Sequence, residues 1–230
     1  MKLKHILKHI PTSSCLNCGS LWTFKAQLCA SCWDCLSKEQ SESLLQTQYE
    51  FGRVYSLYEW SPGQSDMLSR LILWLKGPYQ RPAWGFYAEL FLQKRLTLPM
   101  AEKRIWVVIP PHLSQRKHAL FWGESLAQQL GAKLIAPLRV AEGEKTGQKQ
   151  KDRTLEQRAR RRFILSEEFT LNPQAQREDL WVFADDVLTS GSTANAVHLA
   201  LGSPPHFEVW CLGQRAALLR SLTGSVIKAE

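Results

Sequence analysis

The stretch from Leu180 to Val197, LWVFADDVLTSGSTANAV, limits the fold more than any other part of the chain. An apolar run of strand length, Trp181 to Ala184, meets two adjacent carboxylates, Asp185 and Asp186. It then crosses a hydroxyl-rich loop with one glycine and enters a segment of helical character. A near-continuous apolar run suits a strand covered on both faces. That places the two acids at its carboxyl end, where open α/β sheets bind ligands. Two vicinal carboxylates suit two vicinal hydroxyls. Thr189, Ser190, Gly191, Ser192 and Thr193 offer side-chain hydroxyls and successive backbone N–H groups at a helix N-terminus, where unsatisfied donors and the helix dipole favour an anion. Gly191 lets the backbone approach that anion closely. The ligand described by this order of groups is a phosphorylated sugar.

Other readings of the same residues stand beside this one. A strand ending in Asp-Asp also suits a magnesium or phosphoacceptor site of another doubly wound fold, and a Ser/Thr/Gly cluster before a helix also serves as a cap. The whole pattern resembles the signature of the type I phosphoribosyltransferases: four apolar residues, an acidic pair, two apolar residues, then Thr-Thr-Gly-x-Thr. Here Ser190 replaces the second threonine and keeps the hydroxyl. The resemblance implies that Asp185 and Asp186 contact the ribose hydroxyls of phosphoribosyl pyrophosphate, and that Thr189 to Thr193 wrap its 5′-phosphate.

The 230 residues suffice for one sizeable core with a small appendage, or for two modest domains. A net charge of +8 points to an anionic partner. No apolar run approaches the roughly 20 residues of a membrane span, and the first ten residues are interrupted by Lys and His too often for a signal peptide; a cytoplasmic protein is expected. Five of the six cysteines lie between Cys15 and Cys35, and clustered thiols in such a chain suggest metal before disulfide. Cys15-x-x-Cys18 and Cys29-x-x-Cys32 are two chelating pairs that can supply four thiolates to a tetrahedral structural zinc. Cys35 leaves the fourth ligand open, since it could replace Cys32.

Residues 1–50 are therefore expected as a zinc-ribbon-like module, closed by a polar linker or short helix over 37–50, and residues 51–230 as the main α/β domain. Val54 to Trp60 reads as a strand, and Met67 to Leu75 as a helix stopped by Lys76-Gly77-Pro78. Ala83 to Leu98 reads as a second helix. Ile105 to Ile109 is a buried-type strand broken by Pro110-Pro111, and Arg116 and Lys117 after it are candidate phosphate partners. Leu120 to Leu130 is a further helix, and Leu134–Pro137 and Phe207–Leu212 are strands. From Arg139 to Arg162 there are nine Lys or Arg against four acids, an excess of five. Its first half reads as a flexible loop, and Thr154 to Gln157 as a capping box opening a helix. Such a stretch suits closure over a pyrophosphate, a solvated face or a nucleic-acid track.

The N-terminal cysteine module, Leu71-Ile72-x-x-Leu75-Lys76, the proline-broken strand, Gln150 with Arg158, and the Asp-Asp signature together resemble the ComF family. These are competence-associated bacterial proteins that join a zinc finger to a type I phosphoribosyltransferase domain. The resemblance implies a parallel-sheet fold, structural zinc, and magnesium together with phosphoribosyl pyrophosphate. It also implies an accessory role in DNA uptake, with single-stranded DNA or a helicase of that machinery as partner, or else phosphoribosyl transfer to an acceptor. The chain departs from the family's pattern at His118 to Trp122, where Arg-Gly-Phe-Asn-Gln is usual, and at Arg161, where asparagine is usual.

Overall fold

The computed structural model describes residues 14–21, 23, 28–38, 43–61, 63, 66–77, 80–97, 103–111, 118–141 and 163–215. A short helix, α1 (Ala30–Lys38), precedes a hairpin of β1 (Leu45–Tyr49) and β2 (Gly52–Trp60), and two helices follow, α2 (Met67–Leu75) and α3 (Arg81–Arg95). Next come β3 (Ile105–Val108), α4 (His118–Leu130), β4 (Lys133–Ile135), β5 (Leu138–Val140) and β6 (Phe163–Leu165). The last elements are α5 (Pro173–Glu178), β7 (Leu180–Leu188), α6 (Ser192–Ala200) and β8 (Phe207–Arg215).

Six strands form one sheet in the order β1-β2-β8-β7-β3-β4, and β5 and β6 pair separately. From β2 to β4 every neighbouring pair is parallel; β1 alone runs antiparallel, at the edge. This is the expected α/β architecture. The central strand β7 is buried at eight of its nine positions, which is why its sequence reads as an unbroken apolar run. Helices cover both faces. Trp84, Phe91 and Trp122 of α3 and α4 pack with Trp210 on one side, and Ala194 and Val197 of α6 pack with Phe183 and Val209 on the other. Gly123 brings α4 down onto the sheet, since a Cβ there would sit 2.5 Å from Ile109 Cγ2 and 3.6 Å from Ala184 Cβ.

Two differences from expectation bear on the site. Residues 45–49, expected within a linker or short helix, form β1; Leu45-Gln-Thr-Gln-Tyr is polar because an edge strand buries only Thr47 fully. Residue 50 accordingly lies in the turn between two paired strands. Strand β7 does not stop at Ala184. Its ladder with β8 continues through Asp185↔Cys211 to Leu188↔Gln214, while its ladder with β3 ends at Val108↔Phe183. The sheet therefore opens on the β3 side just before the acidic pair.

Candidate functional site

From β3 the chain moves outward to β4, and from β7 it moves the opposite way to β8, with α4 and α6 on opposite faces. The carboxyl ends of β3 and β7 thus flank a topological switch point, the place where doubly wound sheets form a crevice. Asp185 and Asp186 stand there. Asp186 is 6% exposed and Asp185 is half-buried. Asp185 Oδ1 accepts the Asp186 N–H at 2.9 Å.

Neither carboxylate is an isolated charge. Lys76, at the C-cap of α2, places Nζ 2.8 Å from Asp186 Oδ2, and His118, the first residue of α4, places Nε2 3.6 Å from Oδ1. Burial pushes Asp186 up, but the Lys76 ammonium and the His118 ring outweigh it and hold this carboxyl below its ordinary range. Asp185 goes the other way. Burial, reinforced by the neighbouring Asp186 carboxylate, pushes it well above the ordinary carboxylate range. The two acids form a coupled pair in which Asp186 carries the charge first.

Beyond the acids, Gly191 is the N-cap of α6 at φ 74, a left-handed conformation in which a side chain is strained. A Cβ there would also meet Phe51 Cε1 at 3.3 Å. Phe51 stacks on Tyr49 at 4.9 Å, so the tip of the β1–β2 hairpin packs against this loop. Tyr49 is fixed in turn by the buried Gln214, which donates to its hydroxyl at 2.9 Å. Ser190 and Ser192 share a hydroxyl–hydroxyl bond of 2.9 Å, and Gly191 offers no side-chain cap to α6. Thr189, Ser190, Ser192 and Thr193 are all half-buried, and Ser192 and Thr193 are the first two residues of the helix. The hydroxyls and amides of the predicted loop are therefore together at a helix start, directly after the acids.

The structure places Asp185 and Asp186 in the last part of β7 and Thr189–Thr193 in the turn and helix start that follow it. Arg116 and Lys117 lie outside the described residues, as do 142–162, which carry most of the basic stretch and its capping box. Lys76 and His118 escaped sequence reasoning as partners of Asp186. Lys76 reads as a helix stop, and only the marked departure at His118–Trp122 drew attention to His118.

The donor sets differ in how they suit metal ions. The Sγ atoms of Cys15, Cys18, Cys29 and Cys32 all lie within 4.8 Å of one another. Zinc–sulfur bonds of about 2.3 Å at tetrahedral angles separate sulfurs by roughly 3.8 Å, so this cluster fits one zinc. Cys35 is exposed and outside it. The first knuckle is closed by Gly19 N–H to the Cys15 carbonyl at 2.9 Å, and the second pair enters the start of α1, with Trp33 N–H bonded to the Cys29 carbonyl at 2.9 Å. Burial raises the Cys15 thiol, but the backbone N–H groups of Cys18, Cys29 and Asn17 outweigh it and bring it to about 6. At Cys32 the Asn17 amide pulls downward, yet burial and the neighbouring cysteines prevail and push it up to about 12. Magnesium at the acidic pair is a different case. Both oxygens of Asp186 already face a nitrogen, so the pair does not offer two open carboxylates.

No family model and no curated protein matches the chain. Solved structures similar to it include two adenine phosphoribosyltransferases. One is adenine phosphoribosyltransferase from Saccharomyces cerevisiae, in complex with D-2,5-dideoxy-2,5-imino-altritol 1,6-bisphosphate and adenine. It is 14% identical over 83% of this chain and 94% of that one, at a TM-score of 0.38. The other, also an adenine phosphoribosyltransferase, is 15% identical over 80% of this chain and 93% of its own, at a TM-score of 0.39. Among the described residues, no helix is long and apolar enough to cross a membrane.

Proposed function

We propose that this protein binds phosphoribosyl pyrophosphate at the carboxyl end of β7, as a ComF-like accessory factor of DNA uptake acting in the cytoplasm. The observation that carries the ligand assignment is one continuous segment at the switch point, in which the acidic pair near the end of β7 leads through Gly191 at φ 74 into the start of α6. Asp185 and Asp186 would accept the ribose hydroxyls, while the hydroxyls and amides of Thr189, Ser190, Gly191, Ser192 and Thr193 hold the 5′-phosphate. Arg116 and Lys117, just before His118 in sequence, would meet the pyrophosphate. Magnesium, where present, would ride on the pyrophosphate oxygens rather than on Asp186, and binding would not require it. Zinc would be held by Cys15, Cys18, Cys29 and Cys32 in a structural role.

The DNA-uptake role rests on the family resemblance and on the cationic stretch from Arg139 to Arg162, whose excess of five charges suits single-stranded DNA or an acidic helicase surface. In the alternative reading the same pocket transfers phosphoribose to an acceptor. Its donors would then stabilise pyrophosphate as it leaves the anomeric carbon.

Calorimetry with phosphoribosyl pyrophosphate on wild type and on the Asp185→Ala/Asp186→Ala double variant tests the ligand. Micromolar-range binding by wild type, weakened at least about 100-fold in the variant, is the expected outcome, and equal binding by both overturns the assignment. Pyrophosphate release on adding candidate bases distinguishes turnover from binding alone.

A further inference from the structure

We propose that Lys76 is a built-in counter-cation of this site, standing where a divalent ion would otherwise sit beside Asp186, so that the sugar phosphate binds without a protein-held metal. The inference rests on the ligand proposed above and concerns how its charge is met.

The Lys76 ammonium lies 2.8 Å from Asp186 Oδ2, and its side chain keeps 29% of its exposure while that of Asp186 keeps 8%. A hard divalent cation needs several oxygen ligands in near-ideal geometry. To reach Asp186 it would have to displace an ammonium already in contact and pass His118 Nε2 at the other oxygen, 3.6 Å away. The lysine is also held at its backbone. As C-cap of α2 its N–H donates to the Ile72 carbonyl at 3.2 Å, and the following Gly77 N–H donates to the Trp74 carbonyl at 2.9 Å, so the stem starts from a fixed point in the helical layer.

The charge balance follows from these contacts. Two carboxylates alone would repel a polyphosphate. Here the charge of Asp186 is met by Lys76, leaving Asp185 as the half-buried acceptor for a hydroxyl. An ammonium has three N–H donors, and a contact with one Asp186 oxygen uses at most one of them, so Lys76 can bond a ligand oxygen without giving up its partner.

The test is calorimetry of the full chain with phosphoribosyl pyrophosphate, once in excess EDTA and once in excess magnesium. Wild type is expected to bind in both, with dissociation constants within about threefold of each other. Lys76→Met is expected to lose at least about tenfold in EDTA and to recover most of that loss in magnesium, which can enter the vacated place. Lys76→Arg keeps the positive charge and is expected to bind in EDTA like wild type. Binding by wild type only in magnesium overturns the inference with no variant needed. So does a folded Lys76→Met protein that binds normally in EDTA, or one whose loss magnesium does not restore. Absence of wild-type binding in both buffers would overturn the ligand assignment itself, and this inference with it.

Discussion

Asp185 and Asp186 are chemically identical neighbours with opposite protonation behaviour, because Lys76 and His118 touch Asp186 directly, whereas at Asp185 burial and the Asp186 charge outweigh the pull of Lys76. Asp186, held down by Lys76 and His118, contributes stability above the ordinary carboxylate range, which is lost as pH falls through its lowered folded value. Asp185, raised by burial and by its neighbour, works in the other direction. As pH climbs from the ordinary range towards its raised folded value, the unfolded chain releases a proton that the folded chain keeps, and stability declines. Asp185→Asn should therefore raise the melting temperature at pH 7, at about 2–4 °C per kcal/mol gained for a chain of this size, with the gain vanishing near pH 4. Asp186→Asn should lower it at pH 7 by leaving Lys76 without its partner. Thermal unfolding of both variants at the two pH values checks the signs. A melting temperature for Asp185→Asn unchanged at pH 7 would show that the raised carboxyl carries no stability cost.

Element by element, the turn from β7 to α6 is the part whose shape depends most on a single residue. At Gly191 a methyl group meets both a left-handed backbone and the Phe51 ring at 3.3 Å. Gly191→Ala is expected to destabilise the protein by about 1–2 kcal/mol and to weaken phosphoribosyl pyrophosphate binding by about tenfold or more, since the loop must shift to make room. Denaturant unfolding and calorimetry would show both effects together. The order of groups in this turn was legible in the sequence because strand, acids, glycine and helix start are contiguous. The end of β7 was not. Two aspartates look like a strand terminator, yet β8 extends to Arg215 and its backbone keeps pairing β7 through Leu188. β1 was hidden for a related reason: at the sheet edge its alternation has one fully buried position, too weak a period to distinguish from a linker.

Over the whole molecule, the four-cysteine segment shares a core with the helices on one face of the sheet. Trp33 of α1 meets Phe86 of α3 edge-on at 5.2 Å, Leu28 and Leu36 are buried, and Arg70 of α2 donates to the Asn17 carbonyl at 3.2 Å. Removing zinc with a strong chelator is therefore expected to lower the melting temperature of the full chain, to change tryptophan emission as Trp33 leaves Phe86, and to be reversed by one equivalent of zinc. Metal analysis and fluorescence follow both. A chelated protein with unchanged emission would mean that the four cysteines keep their arrangement without metal. Elsewhere the core is pinned by the buried Arg95–Glu208 pair at 2.9 Å, which ties α3 to β8 with the guanidinium 4.4 Å from the Tyr55 ring centroid. Arg95 in sequence is only a basic residue near a helix end.

By itself the sequence determined what lies within one local segment: the Cys-x-x-Cys spacings, the helix stopped by Lys76-Gly77-Pro78, the buried central strand and the acid–glycine–hydroxyl turn. These depend on covalent neighbours and short periods. Only the tertiary structure decided the strand order, the hairpin tip packed against Gly191, the choice of Cys32 over Cys35 in the cluster, and Lys76 and His118 as the partners of Asp186. Each of those joins groups far apart along the chain, and such pairs are selected by packing and by the need to neutralise a buried charge, which no local pattern of residues encodes.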